Sequence, residues 1–191
     1  MVLDVIFLVV VVVGVVAAVA FFRQRQNDSW KKLASDLGGE FVAGGFFRSG
    51  KIRVSAGTSL ITIDTYSVPS GDSSTTYTRL CAPFQTPDGW QFNIQRKGWV
   101  GRLDKKLGLQ HIDIGDEAFD HDFLVQSNNE MKVRSMLMDS GLRSRVQSQK
   151  SLQLFTKNNE LRLEVQGVIN DLTRLKALYA LFGEVLQKVA G

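Results

Sequence analysis

The segment His111-Ile-Asp-Ile-Gly-Asp-Glu-Ala-Phe-Asp-His-Asp-Phe123 holds both histidines of the chain and five carboxylates. Neutral imidazole and carboxylate oxygen are the ligands of divalent metals and the usual groups of acid–base catalysis. If the flanks are extended, His111 and Asp113 share one strand face, and Asp120 and Asp122 share another. His121 then points away from the aspartates, toward the side of Phe119 and Phe123. That breaks the simplest cluster, so a solvated turn with a histidine at the core edge is the preferred reading. No metal ligand, catalytic residue or cofactor is assigned. An enzyme acting on a membrane-associated substrate through residues 111–122 is the alternative.

Arg96-Lys97-Gly98-Trp99-Val100-Gly101-Arg102-Leu103-Asp104-Lys105-Lys106 interleaves cations with an aromatic ring. Such a patch could meet phosphates on nucleic acid or on lipid headgroups. Trp99, Lys105 and Lys106 are expected at a membrane surface if anywhere, because indole suits the interface and lysines the headgroups. No nucleic-acid partner is expected. The glycine-rich stretch from Gly38 to Lys51 lacks phosphate-loop spacing, and Gly50-Lys51 is followed by Ile52 rather than Ser or Thr. Close packing and turns account for its glycines. Cys81 is the one cysteine, which excludes an intramolecular disulfide and fits a buried thiol in a reducing compartment.

The elements that would position these residues begin with an apolar run. Val5 to Phe22 contains no charge and no hydrogen-bonding side chain. As a helix it would rise roughly 27 Å, close to the roughly 30 Å of bilayer hydrocarbon. A valine-rich strand would not run so long. The expectation is a single-pass transmembrane helix. Arg23, Arg25, Lys31 and Lys32 follow it, whereas only Asp4 precedes it. The excess of positive charge places the N-terminus outside and the following domain in the cytoplasm, at the inner membrane. The same four cations could touch anionic headgroups. Residues 1–24 are thus read as anchor and basic flank, and residues 25–191 as one soluble α+β domain.

That domain is large enough to need no metal or disulfide for stability. Asn27-Asp28-Ser29 predicts the cap of a short helix carrying Trp30, Leu33, Ala34 and Leu37, ended by Gly38-Gly39. Strands are predicted at 51–55 and 59–67, with 68–74 as a loop. A second hairpin is predicted from 75–84 and 90–97 around Thr86-Pro87-Asp88-Gly89. Trp90, Phe92 and Ile94 alternate there with Gln91, Asn93 and Gln95, the pattern of a sheet with one wet face. Phe119, His121 and Phe123 predict another strand. Ser127-Asn-Asn-Glu130 predicts a capping box opening a helix through Val133, Met136 and Leu137. A short helix through Leu142 and Val146 follows, then a hairpin from 151–156 and 161–165. Leu172, Leu175, Leu178, Phe182, Val185 and Val189 predict an amphipathic closing helix. The whole reads as a mainly antiparallel sheet covered by helices on one face.

Ala118-Phe-Asp-His-Asp-Phe-Leu-Val-Gln-Ser-Asn-Asn-Glu130, continuing to Met136-Leu137-Met138, resembles a pattern in uncharacterised bacterial proteins. There an F-D-x-x-F-x-V strand precedes a capped helix, a second helix, a hairpin and a closing helix, with one or two membrane spans ahead of them. The resemblance covers roughly the C-terminal half. It implies a domain of unknown function and carries no catalytic residues across. The functional expectation is a non-enzymatic binding or assembly protein at the membrane surface, anchored through its N-terminal helix and contacting a protein partner in the membrane.

Overall fold

Two stretches at either end of the domain, around Trp30 and around Phe182, become helices that bury an apolar stripe in the core. In the computed structural model, residues 2–45, 49–98 and 108–190 are described. The elements run α1 (Val2–Asp36), β1 (Glu40–Val42), β2 (Lys51–Ala56), β3 (Ser59–Ser70), β4 (Ser73–Pro83), β5 (Phe92–Arg96) and β6 (Gln110–His111). They continue as α2 (Glu117–Asp122), β7 (Phe123–Ser127), α3 (Glu130–Leu137), α4 (Ser140–Gln147), β8 (Gln153–Lys157), β9 (Glu160–Gln166) and α5 (Leu172–Ala190).

All described strands join one antiparallel sheet in the order β1-β2-β3-β4-β9-β8-β5-β7-β6. One face carries the register row Ile52, Ile63, Leu80, Leu163, Leu154, Ile94 and Val125, all fully buried. Trp30 and Leu33 of α1, Val133 and Leu137 of α3, Leu142 and Val146 of α4, and Leu175, Leu178, Phe182 and Val185 of α5 belong to the same core. The closing helix therefore packs on its own domain, as its period of three and four requires. The α+β architecture with an antiparallel sheet is as the sequence predicts.

The membrane-crossing helix is not. Among the described residues no helix is long and apolar enough to cross a membrane. The transmembrane, single-pass expectation is corrected on that finding. The physical difference lies in how the apolar run ends. It is not a self-contained segment followed by a second, separately capped helix. It is the first part of one 35-residue helix, about 52 Å long at 1.5 Å per residue. Asn27, Asp28 and Ser29 lie inside that helix and cap nothing. The helix ends only after its last turns have buried Trp30, Leu33 and Ala34, with Gly38 in the left-handed conformation at φ 64°.

Other expectations shift for local reasons. The 68–74 loop is mostly strand, because β3 and β4 pair as far as Ser70↔Ser73 and turn through Gly71 and Asp72. The Thr86–Gly89 turn forms, with Gly89 N–H donating to the Thr86 carbonyl at 3.0 Å. Its flanking strands do not pair, however. β9 and β8 stand between β4 and β5, since a turn fixes chain direction and not partners. Phe119 to Asp122 is helix rather than strand, so Phe119 and Phe123 meet one turn apart with ring centroids 4.8 Å apart. The cap of α3 is Asn129, whose side chain accepts from Lys132 N–H, two residues beyond the Ser127 of the predicted box. Asn158 and Asn159 make the β8–β9 turn, both at positive φ, which suits a two-residue turn between twisted strands.

Candidate functional site

The feature with the most evident need of a partner is the outer part of α1. Ile6, Phe7, Val10 to Val13, Val19 and Phe21 are exposed, Phe7 to 72%. Burying such side chains is worth about 1.5–3 kcal/mol each, and in the folded chain they remain largely exposed. The arm is stiffly joined to the domain, because the same helix carries it into the core. The Trp30 indole N–H donates to the Ile169 carbonyl at 3.0 Å, and Asp36 pairs with Lys176 of α5 at 2.8 Å. That lysine holds the Asp36 carboxyl below its ordinary range.

Of the predicted surface cations, Arg25 is exposed on α1 between arm and core, and Lys31 and Lys32 are exposed on the outer side of the turns that bury Trp30 and Leu33. Arg25 lies over the Phe21 ring at 5.3 Å and Lys31 over Phe41 at 5.9 Å. Arg23 occupies the same helix. Trp99, Lys105 and Lys106 lie outside the described residues, as do positions 46–48 of the glycine-rich stretch. The described structure therefore brings Arg25, Lys31 and Lys32 to one helix and leaves the second half of the predicted surface unassigned.

The His/Asp segment is occupied by structural bonds. Asp116 caps α2 through Phe119 N–H and also accepts from Arg143 at 3.0 Å. Asp120 accepts from the N–H groups of Ile114 and Gly115, both at 2.8 Å, and so holds the loop before α2. Asp122 takes a 2.9 Å bond from Arg96, whose other nitrogens donate to the Gln147 and Gln149 carbonyls and so terminate α4. His121 first and Arg96 second lower the Asp122 pKa. The His121 side chain is 86% exposed and not at the core edge, because the helical turn aims it outward. His111 is exposed too and reaches only Asp113, at 3.1 Å. Among the described residues no group of three or more His, Cys, Asp or Glu side chains could hold a metal ion.

The sheet face opposite the helices carries an arrangement that alternation alone did not reveal. Asp64, Arg79, Glu164, Gln153 and Gln95 align in register across five neighbouring strands. Arg79 grips Asp64 with two nitrogens, at 2.9 and 2.6 Å, and its guanidinium stacks 5.0 Å over Tyr66. Tyr66 donates its hydroxyl to Glu164 at 2.6 Å. Glu164 is only 6% exposed. Burial raises its carboxyl pKa against the lowering effects of Tyr66 and Arg79. Burial likewise raises Tyr66, and the bond to Asp64 raises Arg79. Asn93, Gln95 and Gln153 are buried as well, with Gln153 donating to the Asn93 carbonyl oxygen at 2.8 Å. The predicted wet face is thus a hydrogen-bonded polar layer. Cys81 sits half-buried on this face, its thiol pushed up to about 11 by desolvation. A thiol held so fully protonated is a poor nucleophile.

No family model and no curated protein matches the chain. The crystal structure of the mycobacterial trehalose monomycolate transport factor A, TtfA, is similar in fold. It matches with a TM-score of 0.56 at 11% sequence identity, over 86% of this chain and 96% of that one. The architecture is shared. At that identity, the likeness carries no residue roles.

Proposed function

We propose that this chain is a membrane-associated binding or assembly protein. The exposed arm of α1 seats in lipid and holds the domain at the cytoplasmic face of the inner membrane, where it contacts a membrane protein. The observation that carries this reading is the arm itself: apolar, exposed, and continuous with a helix whose last turns are core. Arg25 would meet an anionic leaflet just where the apolar side chains give way, with Lys31 and Lys32 further along the same helix, each cation in reach adding about 1 kcal/mol of attraction. The fold shared with a protein described as a transport factor is compatible with a transport-linked role.

Two measurements test it. Full-length chain should float with anionic vesicles, and Val12→Asp should weaken flotation because a carboxylate resists entry into hydrocarbon. Purification from native membranes in mild detergent should then co-isolate a membrane protein in stoichiometric amount. Recovery of the full chain in the aqueous fraction after lysis, or in detergent without any partner, would sink the proposal.

A further inference from the structure

The short helix α3 and its C-cap carry three methionines on two faces. Met136 points inward. It is 4% exposed and belongs to the core with Val133 and Leu137. Met131 and Met138 point outward, at 80% and 77% exposure. Outside α1 they are the most exposed large apolar side chains among the described residues. Met138 keeps helical backbone angles as the C-cap. Positions 131 and 138, almost two full turns apart, therefore fall within about 20° of one another round the axis, roughly 10 Å apart along it. The two thioethers share one outer face.

α3 is held in place by other groups. The Asn129 side chain caps its first turn by accepting from Lys132 N–H at 3.1 Å. Arg143 donates to the Leu137 carbonyl and, at 3.1 Å, to the Met138 carbonyl, which satisfies the last turn. Glu130 pairs with Arg134 at 2.6 Å, and Lys132 pairs with Asp88 at 2.8 Å. Caps, ion pairs and the inner face thus fix the helix, and the outer thioethers stand apart from all three.

A thioether sulfur reacts with electrophilic oxygen when the oxidant can reach its lone pair, so exposure separates these methionines chemically. We propose that Met131 and Met138 form a paired site of oxidation by hydroperoxides, with Met136 protected by the fold. At each site a sulfur lone pair attacks the hydroxyl oxygen of the peroxide. An S–O bond forms as the O–O bond breaks, and the proton passes to the departing oxygen. Sulfur loses two electrons to become a sulfoxide, and the peroxide is reduced to an alcohol, or to water where it is hydrogen peroxide. The outer face of α3 changes from apolar to polar, while its caps and its inner face keep their partners. The site is independent of how the arm of α1 is used.

The test treats full-length protein in mild detergent with hydrogen peroxide and follows its tryptic peptides by mass spectrometry. Cleavage after Lys132, Arg134 and Arg143 puts Met131 on one peptide and Met136 with Met138 on another. The second peptide compares an inner and an outer thioether two residues apart. Oxygen should enter at positions 131 and 138 at least about ten-fold faster than at 136 in folded protein, and the three rates should converge in concentrated urea. A ratio below about three-fold in folded protein overturns the proposal, and so does a ratio that persists in urea, which would trace it to local sequence instead of burial. The melting temperature of protein oxidised at 131 and 138 alone is the second readout. An unchanged value supports the proposal, and a clear fall overturns it by showing that the outer thioethers help to hold α3.

Discussion

Trp30→Phe tests the joint on which the rigid arm depends. The indole is fully buried, and its N–H donates to the Ile169 carbonyl at 3.0 Å. Phenylalanine keeps most of the ring and removes the donor, leaving the carbonyl dry at a cost of about 1–3 kcal/mol. The unfilled part of the indole site adds about 1 kcal/mol. The sum, about 2–4 kcal/mol, corresponds to a fall in urea midpoint of roughly 1–2 M at an m-value near 2 kcal/mol/M. Full-length protein in mild detergent, followed by far-ultraviolet circular dichroism, gives that midpoint. Thr78→Val removes the acceptor for Ile169 N–H and the donor to the Gly167 carbonyl. Both substitutions loosen the same 167–169 connection, so the double variant should lose less than the sum of the singles. A shift for Trp30→Phe below about 0.3 M, or strict additivity with Thr78→Val, would refute the reasoning.

Three further outcomes are expected. Glu164 has a carboxyl pKa raised above its ordinary 4.5 by burial, so its contribution to stability is fully present below that value and is lost as pH rises through the folded pKa. Glu164→Gln should therefore gain stability relative to the parent as pH rises from about 4 to about 8, and a gap in melting temperature that does not change with pH would contradict this. Asp120→Ala should cost about 1–3 kcal/mol by orphaning two backbone donors, whereas His121→Ala should change stability by less than about 0.5 kcal/mol; equal losses in a thermal melt would revive a joint role for the pair. The side-chain amide nitrogen of Gln26 is buried without a partner, so Gln26→Met should stabilise by about 1 kcal/mol, and a lower melting temperature would argue that the nitrogen is satisfied.

Much of the fold is readable from period and turn chemistry. The β8–β9 hairpin follows from Lys157-Asn-Asn-Glu160, and α5 from its apolar spacing, because each is decided by residues close in sequence. What could not be read are choices between distant partners. Nothing local says that β4 pairs with β9 rather than β5, since Thr86–Gly89 would serve a hairpin equally well. Alternation around Asn93 and Gln95 shows that two faces differ. Whether the polar one is wet depends on what lies across strands 60 residues away, such as Gln153. Phe119 and Phe123 stand four apart, which fits one helical turn or one strand face alike, and Asp116 as a cap decides it. The candidate surface residues were legible only in part. Arg25, Lys31 and Lys32 flag themselves by following an apolar run, whereas the exposure of the valines ahead of them is seen only in the folded chain.

The pairing of β4 with β9 also fixes an order of events during synthesis. Residues 6–21 leave the ribosome long before Gln153 to Gln166, yet β4 and β5 are not neighbours in the sheet, and the edge of each that faces the other is filled only by the late hairpin. Trp30 likewise finds its acceptor only when Ile169 appears. Pairings of such separation close slowly and leave strand edges open meanwhile. The apolar end of α1 is thus presented to its surroundings while the domain is still a nascent, unclosed chain. The exposed apolar helix is thus made before the sheet that its last turns help to close.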